Sequence, residues 1–443
     1  MKKTIIVGAG IAGITAAVEL SKNNITPIVL EERKFPGGRT FSFKDDFTGD
    51  IIDNGQHLLM GAYVNFLNLL DTLGTAEKLL FTKGIRIPFI DKYSESSLFN
   101  TEIFPGKSGL LFAMINFKGL SLFSKWKAIK FLISIGTGKK EFIQYSVSEL
   151  FDQYQISDEL IKRFFEPLCL ATMNAKSENA SANIFIQVIK KALFSKGDYS
   201  KLIYPGAGLS ELIKPFEEII KKVGGEVHYS TGIEEIMADK NKILAVKSKS
   251  QTFLADYYIF AIPANKLSSI VNGSHSLSNV IKLQEFQYSP IISIYLWYDR
   301  EFIKSKITAV IDSNIQWIFN KRRIYHDIDY NKDMPGHYAV TISGADDLIN
   351  LPKDLILQTC LDEIGRIFPE SKKSELKHSV VIKEKNATVL LNPDSLKYRK
   401  SGNSNYKNLF FAGDWTDTGL PATIESACLS GIKAAQKIMN FAG

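Results

Sequence analysis

The spacing of apolar positions in the first 30 residues predicts a strand, a helix and a second strand. Residues 4–7 are a short β-branched run typical of a buried strand, and residues 14–20 repeat apolar side chains at helical intervals. Residues 26–30 form another strand-like run. A glycine-rich stretch separates the first strand from the helix, so this segment is predicted to begin an α/β domain.

Similar patterns return later in the chain. Residues 225–235 and 256–263 each read as a strand, and a helical stretch precedes the first of them at 209–222. Residues 409–415 read as a strand that ends in Gly-Asp. A terminal helix is then predicted to begin near Ile424, just after a proline and a threonine that suit a helix start.

Two long stretches between these segments have a different character. Residues 63–197 are mostly helical in pattern. Residues 266–394 contain alternating, strand-like runs at 291–297 and 338–343 and one helical stretch at 352–368. These stretches are therefore predicted to form a part of the molecule distinct from the α/β segments.

Composition excludes several classes of protein. The chain has 443 residues, 45% hydrophobic and 23% charged, which is the balance of a folded protein with more than one domain. No apolar run reaches the roughly 18 to 20 residues that a membrane-spanning helix needs. Three widely spaced cysteines without CxxC argue against a disulfide scaffold or a zinc ribbon and suit a reducing compartment.

Charge and the N-terminus bear on location and partners. Lys plus Arg number 54 and Asp plus Glu 47, a net charge of +7, without a long basic block of the kind that binds nucleic acid. The N-terminus starts like a signal peptide, but the glycine-rich stretch interrupts its apolar run. We therefore expect a cytoplasmic protein that binds no nucleic acid. The modest positive charge suits either plain solubility or an anionic membrane surface.

The glycine-rich stretch has the spacing GxGxxG at Gly8, Gly10 and Gly13. Gly8 permits a tight turn, Gly10 lets the backbone approach a pyrophosphate, and Gly13 lets the helix pack closely on the strand. The helix N-terminus offers free N–H groups to phosphates. Glu31 ends the second strand, where a carboxylate accepts hydrogen bonds from a ribose. The motif predicts a dinucleotide, NAD or FAD; a glycine turn without a ligand is the alternative.

The next glycines favour FAD. Gly37-Gly38-Arg39 resembles a stretch found soon after the second strand in flavoproteins of the phytoene desaturase and flavin amine oxidase superfamily. The resemblance implies that the two glycines allow close approach to FAD and that Arg39 adds charge near it. It also implies that Ile233 lies near the adenine, that Asp414 hydrogen-bonds the flavin chain, and that the terminal helix points its N-terminus at the flavin ring.

Two stretches narrow the resemblance. Residues 52–63 contain DNGQH and residues 413–425 read GDWTDTGLPATIE, and together they most resemble the hydroxysqualene dehydroxylases, flavoenzymes of the bacterial squalene route. The sequence departs from relatives at Ala62, where Cys is common, and at 399–407, which lacks their prolines. The residues assigned to non-covalent FAD are Gly8, Gly10, Ile11, Ala12, Gly13, Glu31, Glu32, Gly37, Gly38, Arg39, Asn54, Gly55, Gln56, His57, Ile233, Gly413, Asp414, Pro421, Ala422, Thr423 and Ile424.

The resemblance implies an α/β fold in which a Rossmann-type FAD-binding domain carries an inserted α+β substrate domain. The FAD-binding domain is expected to be discontinuous and to comprise residues 1–62, 198–265 and 395–443. Residues 63–197 and 266–394 are expected to build the substrate domain, with an antiparallel sheet over the flavin and flanking helices.

The implied function is reductive removal of the hydroxyl group of hydroxysqualene to give squalene. A phytoene-type carotenoid desaturase, a flavin amine oxidase and a non-enzymatic lipid-binding escort share the fold and are the alternatives. A leaving hydroxide needs a proton donor, and His57 and Asp417 are assigned to this role from their motif positions. The competing interpretation is that His57 packs against the flavin and Asp417 holds its loop. The histidines lack HxH or HExxH spacing, so no metal site is expected.

Residues 103–133 suggest a route for an apolar substrate. Trp126 lies among apolar positions with Lys125, Lys127 and Lys130 close by, a mixture typical of a membrane interface. A helix buried in the core is the competing interpretation. We expect an apolar isoprenoid substrate, peripheral contact with a membrane and possible protein partners in squalene synthesis.

Overall fold

The computed structural model describes residues 2–104, 106–138, 141–191, 198–272, 286–325, 331–399, 402, 404 and 406–442. The strands in this part of the chain are β1 (Lys3–Val7), β2 (Thr26–Leu30), β3 (Ser42–Lys44), β4 (Ile51–Asp53), β5 (Leu59–Met60), β6 (Leu79–Phe81), β7 (Arg86–Asp91), β8 (Ser96–Asn100), β9 (Leu202–Pro205), β10 (Glu226–His228), β11 (Ile233–Asp239), β12 (Lys242–Ser248), β13 (Thr252–Phe253), β14 (Tyr257–Phe260), β15 (Tyr288–Tyr298), β16 (Ile307–Ile311), β17 (Trp317–Asn320), β18 (Gly336–Ser343), β19 (Leu376–Val389) and β20 (Leu409–Phe411).

The α-helices are α1 (Ile11–Lys22), α2 (Val64–Thr72), α3 (Gly106–Asn116), α4 (Leu122–Thr137), α5 (Val147–Gln153), α6 (Asp158–Leu160), α7 (Glu166–Met173), α8 (Ala182–Ile189), α9 (Leu209–Ile213), α10 (Phe216–Lys221), α11 (Ala264–Asn272), α12 (Lys321–Ile324), α13 (Lys353–Ile367) and α14 (Ile424–Ala442). Within the described residues, each helix is too short or too polar to cross a membrane.

A parallel five-stranded sheet forms one layer of the fold. Its strand order is β10-β2-β1-β14-β20, and each neighbouring pair is parallel. Alternate side chains of β1 enter different cores: Ile6 packs with α1 and α14, whereas Ile5 and Val7 face the other side. The sheet is buried on both faces, which explains why its strands read as continuous apolar runs. The predicted α/β class is confirmed.

A mixed seven-stranded sheet forms the second layer, in the order β19-β15-β18-β17-β16-β7-β8. Its pairs are antiparallel except that of β16 with β7, which is parallel. One face carries Ile292, Val340 and Ile342 against Ile356 and Cys360 of α13. The predicted antiparallel sheet is present, and it contains one parallel pair because the hairpin β7–β8 from the mostly helical stretch joins it through β16.

The sequence prediction of one strand at 225–235 is also wrong. The segment forms β10 and β11, which belong to different sheets. Ser230 adopts a left-handed φ of 53°, and the Thr231 N–H donates to the Glu31 carbonyl oxygen at 2.7 Å. This bend turns the chain at the end of β2. The helical stretch before it is likewise divided, into α9 and α10, with Pro215 between them.

The strands of the parallel sheet lie within residues 3–30, 226–260 and 409–411, and those of the seven-stranded sheet within 86–100 and 288–389. The two sheets are thus assembled from interleaved parts of the chain. The division into two domains with the stated boundaries stays a prediction.

Candidate flavin site

A cavity of about 660 Å³ is lined by residues from both large sheets. Every residue assigned to FAD from the sequence lines this cavity except Gly13. His57 is also among the lining residues, whereas Asp417 is not. The fold therefore brings together motifs that lie more than 400 positions apart in the chain, from Gly8 to Ile424.

The glycine turn after β1 has the geometry that its spacing predicts. Gly8 has a φ of +102°, and a Cβ there would lie 2.8 Å from the carbonyl oxygen of Ala261. A Cβ on Gly10 would meet nothing within 4 Å. A Cβ on Gly13 would lie 1.9 Å from the Gly8 carbonyl oxygen. Gly13 therefore acts by allowing the helix to pack on the turn, while the open space at Gly10 lies on the cavity side.

The N-terminus of α1 meets this cavity without a side-chain cap. Gly10 is the N-cap residue, and no acidic residue lies in the first turn of the helix. Ile11 and Ala12 line the cavity, so the N–H groups of the first turn are available to an anion. The chemistry of this turn fits the pyrophosphate of a dinucleotide.

Glu31 is 5% exposed and holds two turns together. Its Oε2 accepts a hydrogen bond from the Ala9 N–H at 2.7 Å, and its Oε1 accepts one from the Arg33 N–H at 2.9 Å. Each carboxylate oxygen keeps a further lone pair for a ribose hydroxyl. The neighbouring Glu32 is half exposed, and its Oε2 lies 3.5 Å from Nζ of Lys266.

Arg39 and Asp414 form an ion pair on the cavity wall. Arg39 Nη2 lies 2.8 Å from Asp414 Oδ1, and its Nη1 donates to the carbonyl oxygen of Ala387 at 2.6 Å. Burial opposes the guanidinium charge, but Asp414, together with Tyr288 and Glu384, favours it, and the pKa of Arg39 is raised. The pair joins the Gly37-Gly38-Arg39 turn to the end of β20, so both motifs are held at one place.

A residue that the sequence analysis missed, Arg399, fixes the loop before α14. Its guanidinium donates to the carbonyl oxygens of Thr416 at 2.6 Å, Leu420 at 3.0 Å and Asp414 at 3.1 Å. Burial lowers the pKa of Arg399 to about 10. A lone arginine in a segment without a motif gives no sequence signal for such a role.

The placement of Asp417 does not support its assignment as a proton donor. Its side chain is exposed and lies outside the cavity lining. Its Oδ1 accepts a hydrogen bond from the Gly419 N–H at 3.2 Å. Asp417 thus holds the loop that precedes α14, which agrees with the competing interpretation.

The DNGQH stretch begins with Asp53 at the end of β4 and continues into a turn in which Asn54, Gly55, Gln56 and His57 line the cavity. Beneath it, Lys321 is 1% exposed and donates from Nζ to Gln56 Oε1 at 2.7 Å. Its ammonium lies 3.6 Å from Asp53 Oδ2 and 3.8 Å from the ring centroid of Tyr325. Burial lowers the pKa of Lys321 to about 8, although Asp53 acts in the opposite direction. Sequence reasoning missed this lysine because it lies in a stretch without a motif.

His57 lies at the end of this turn. Burial lowers the pKa of His57, and the cations of Lys321 and Arg39 add to the effect, while Asp53 opposes it. The imidazole is therefore mainly neutral at neutral pH. It remains on the cavity wall, where both of its sequence-based interpretations had placed it.

The far part of the cavity is apolar and was not predicted residue by residue. Its wall comes from the hairpin β7–β8, from α3 and α4, and from β16 and β17. The apolar residues there are Ile85, Ile87, Phe89, Phe99, Leu110, Met114, Leu132, Phe164, Ile307 and Phe319. Apolar side chains in a helical or strand pattern do not reveal from sequence whether they face a core or a cavity.

Comparison with known proteins defines the class to which this site belongs. The sequence profile described as flavin containing amine oxidoreductase matches residues 11–439. The chain belongs to this family and is a flavin oxidoreductase, so the predicted cofactor FAD is confirmed.

Among curated relatives, the chain is 25% identical over 446 residues to hydroxysqualene dehydroxylase of Sinorhizobium fredii, covering 99% of both chains. It is 25% identical over 474 residues to 15-cis-phytoene desaturase of Synechococcus elongatus, covering 99% of this chain and 96% of the relative. The solved structure of cyclohexylamine oxidase from Brevibacterium oxydans is 14% identical, covers 100% of this chain and 99% of its own, and has a TM-score of 0.71. These matches confirm the resemblance to hydroxysqualene dehydroxylases and the superfamily.

Proposed function

We propose that the protein catalyses reductive removal of the hydroxyl group of hydroxysqualene. The observation that carries this proposal is the continuity of the cavity: the part lined by the flavin motifs opens into a wall of aromatic and aliphatic side chains. A long isoprenoid chain needs such a wall, since its burial is driven by removal of apolar surface from water. The name of the Sinorhizobium relative supports the same substrate.

The reaction exchanges a C–O bond for a C–H bond. When bound, reduced FAD supplies the hydride, and the hydroxyl group leaves with one proton as water. The chain's own residues position and shield the reacting carbon. The apolar wall would keep water from the carbon that carries the hydroxyl group, and Glu31 and the α1 N-terminus would hold the dinucleotide in place.

Proton delivery is assigned to the DNGQH turn. His57 lines the cavity and is the remaining candidate of the two named from sequence. Because burial lowers the pKa of His57, its protonated form is scarce at neutral pH. We therefore expect turnover to increase as the pH falls toward this lowered pKa, provided that the fold stays intact.

A phytoene-type desaturase is the second candidate, because the Synechococcus relative is as similar as the dehydroxylase in percentage identity. Such an enzyme moves hydride from substrate to oxidised flavin, the reverse direction. The amine oxidase likeness lies under 25% identity and concerns the fold alone. An escort without chemistry does not agree with membership in a flavin oxidoreductase family.

One product analysis separates these candidates. The holoenzyme is supplied with hydroxysqualene and reduced flavin under argon, and a parallel sample receives phytoene and oxidised FAD. The proposal expects squalene from the first sample and unchanged phytoene in the second. Desaturated phytoene without squalene formation would instead support the alternative.

We further infer that α3 and α4 contact a membrane. Leu122 is 83% exposed and Trp126 55%, so the outer face of α4 is apolar and open. Residues 106–137 contain five lysines and no acidic residue. The inner faces of the same helices contribute Leu110, Met114 and Leu132 to the cavity wall. An apolar substrate that enters between these helices passes from a bilayer to the flavin site without crossing water.

A further inference from the structure

Two polar side chains of the cavity wall lack a hydrogen-bond partner. Among the described residues, the buried atoms without a partner include Trp317 Nε1 and Thr341 Oγ1, and these two are the ones whose residues line the cavity. Both residues are 9% exposed. A buried polar group without a partner is unfavourable, and such groups are rare in folded proteins. Both atoms are closed to solvent in this structure, so a ligand bound in the cavity would give them a partner after a small side-chain rotation.

The sheet register places these groups in one transverse row. Thr341 of β18 lies directly opposite Ser293 of β15 on one side and Trp317 of β17 on the other. Side chains in such cross-strand pairs share a face, and all three residues line the cavity. The row spans two strand spacings, about 10 Å.

The row begins at the flavin motifs and ends in the apolar wall. A Cβ on Gly55, in the DNGQH turn, would lie 3.6 Å from Ser293 Oγ. At the other end, the Trp317 ring contacts Phe89 edge to face, with centroids 6.4 Å apart. A polar atom held by the row would thus lie between the place assigned to the flavin and the place where apolar chains are bound.

We propose that Thr341 and Trp317 bind the hydroxyl oxygen of an isoprenoid alcohol. This inference rests on the proposed function and names the part of the site that recognises the leaving group. The indole N–H donates to the alcohol oxygen. The alcohol O–H donates to Thr341 Oγ1, or the alcohol oxygen accepts a hydrogen bond from the Thr341 hydroxyl. Thr341 Oγ1 is buried in this structure, and a rotation of about 120° around the Cα–Cβ bond would move it to another staggered position without movement of the backbone.

The row also gives a basis for discrimination. A site that hydrogen-bonds a substrate hydroxyl rejects the analogue that lacks it, because its own polar groups are then left unpaired. Squalene, the product, has no oxygen. The alcohol is therefore bound more tightly than the hydrocarbon, and loss of the hydroxyl favours release of the product.

The test compares binding of hydroxysqualene and squalene to the oxidised holoenzyme, in mixed micelles, by the change in absorbance of bound FAD. Wild-type protein is expected to bind the alcohol more tightly than the hydrocarbon. Thr341→Val and Trp317→Phe are each expected to reduce this ratio roughly three- to ten-fold, the contribution of one neutral hydrogen bond. A ratio that is unchanged in both variants overturns the inference.

Thr4→Val is the matched control. Thr4 Oγ1 is also buried without a partner, but Thr4 lies on β1 and does not line the cavity. Both Val variants are expected to unfold at the same or a higher urea concentration than wild type, because each removes an unpaired hydroxyl. Only Thr341→Val is expected to lower the binding ratio. A fall of the ratio in Thr4→Val as well would assign the effect to the fold and contradict the inference.

The same variants distinguish a failure of the proposed dehydroxylation from a failure of the proposed hydroxyl site. If wild-type protein forms no squalene but Thr341→Val still reduces the preference for alcohol over hydrocarbon, the hydroxyl site stands and the dehydroxylation does not. If squalene is formed at the wild-type rate and with the wild-type binding ratio in both cavity variants, the dehydroxylation stands and the hydroxyl site does not.

Discussion

At the scale of single residues, the carboxylate of Glu31 combines a structural contact with a predicted contact to the cofactor. Glu31 was predicted to accept hydrogen bonds from a ribose, and the structure shows that it also accepts the N–H groups of Ala9 and Arg33. The carboxylate therefore shapes the glycine turn before any cofactor binds. If the same carboxylate also binds the ribose, even an isosteric change at this position weakens FAD binding.

We predict that Glu31→Gln lowers the affinity for FAD about ten- to a hundred-fold. An amide has one acceptor oxygen in place of two and no charge, and loss of a charge-assisted hydrogen bond costs roughly 1.5–3 kcal/mol. Titration of the apoprotein with FAD, followed by flavin fluorescence, measures the change. Glu234→Gln, on an exposed side chain of β11, is the control and is expected to bind like wild type. An unchanged affinity in Glu31→Gln would mean that the dinucleotide lies elsewhere.

His337 makes stability depend on pH. Its ring stacks on Trp297 with centroids 4.4 Å apart, and its Nδ1 lies 3.6 Å from Asp50 Oδ2. The Asp50 carboxylate already accepts two hydrogen bonds from the Arg322 guanidinium, at 2.7 and 2.8 Å. Burial, and then the cations of Arg322 and Lys321, hold the pKa of His337 well below its usual value. The folded protein therefore keeps this imidazole neutral.

The sign of the effect follows from the two states. Below about pH 6.5 the histidine of the unfolded chain takes up a proton, whereas the buried one does not. The free energy of unfolding is therefore expected to fall as the pH falls below 6.5, by up to about 1.4 kcal/mol per pH unit from this residue. Urea unfolding of wild type and His337→Phe between pH 5 and 7 measures it. Equal pH slopes for the two proteins would show that His337 does not contribute.

At the scale of elements, the sequence predicted those features that depend on residues close together in the chain. The apolar run, the glycine spacing and Glu31 identified β1, α1 and β2 within a few residues of their observed bounds. The residues assigned to FAD line one cavity, Gly13 excepted, and most of them belong to short motifs. Residues 225–235 were predicted as one strand because the sequence does not show the left-handed bend at Ser230. This bend separates β10 from β11.

Features that depend on distant pairing were not predictable in the same way. The hairpin β7–β8 joins the seven-stranded sheet through Phe89, which pairs with Ala309 some 220 positions later. Lys321 and Arg399 act through partners in other segments, and neither carries a motif. The row of Ser293, Thr341 and Trp317 exists only because three strands align in one register.

The crossing of α1 and α14 gives a prediction at this scale. A Cβ on Gly431 would lie 2.3 Å from the carbonyl oxygen of Ala12 and 3.0 Å from Thr15 Cβ. Gly431→Ala must therefore push the helices apart, and we expect a loss of about 1–3 kcal/mol in the free energy of unfolding. Because α1 carries the glycine turn, FAD affinity should fall as well.

Gly365→Ala in α13 is the matched control, measured by the same urea unfolding. The new Cβ there would meet only the flexible end of Lys372, at 3.5 Å. Alanine favours a helix over glycine by about 1 kcal/mol, so this variant is expected to be as stable as wild type or more so. If Gly431→Ala is also stabilised, the two helices are less closely packed than the structure indicates.

At the scale of the whole molecule, one cavity joins two regions of different chemistry. Glycine turns and helix N-termini surround the part assigned to the dinucleotide, and apolar side chains form the part proposed for the isoprenoid. The helices α3 and α4 lie between that apolar wall and an exposed apolar face rich in lysine. The arrangement suits a reaction whose cofactor comes from water and whose substrate comes from a bilayer.

We predict salt-sensitive binding to anionic vesicles through this face. Each lysine near an anionic surface contributes about 1 kcal/mol, so Lys125, Lys127 and Lys130 changed together to Glu should lower vesicle affinity a hundred-fold or more. Vesicle sedimentation measures binding, and the FAD spectrum checks the fold. Lys242 in β12 and the flanking Lys240 and Lys249, changed together to Glu, make the same charge change elsewhere on the molecule. Equal losses in both triple variants would mean that net charge, and not this face, drives binding.

The central claim is tested most directly by a single turnover. The holoenzyme is reduced anaerobically, freed of excess reductant and mixed with hydroxysqualene, while the absorbance of the flavin is recorded and the lipids are analysed. Our account predicts reoxidation of the flavin with one squalene formed per flavin reoxidised. A flavin that stays reduced, with hydroxysqualene recovered unchanged, would contradict it.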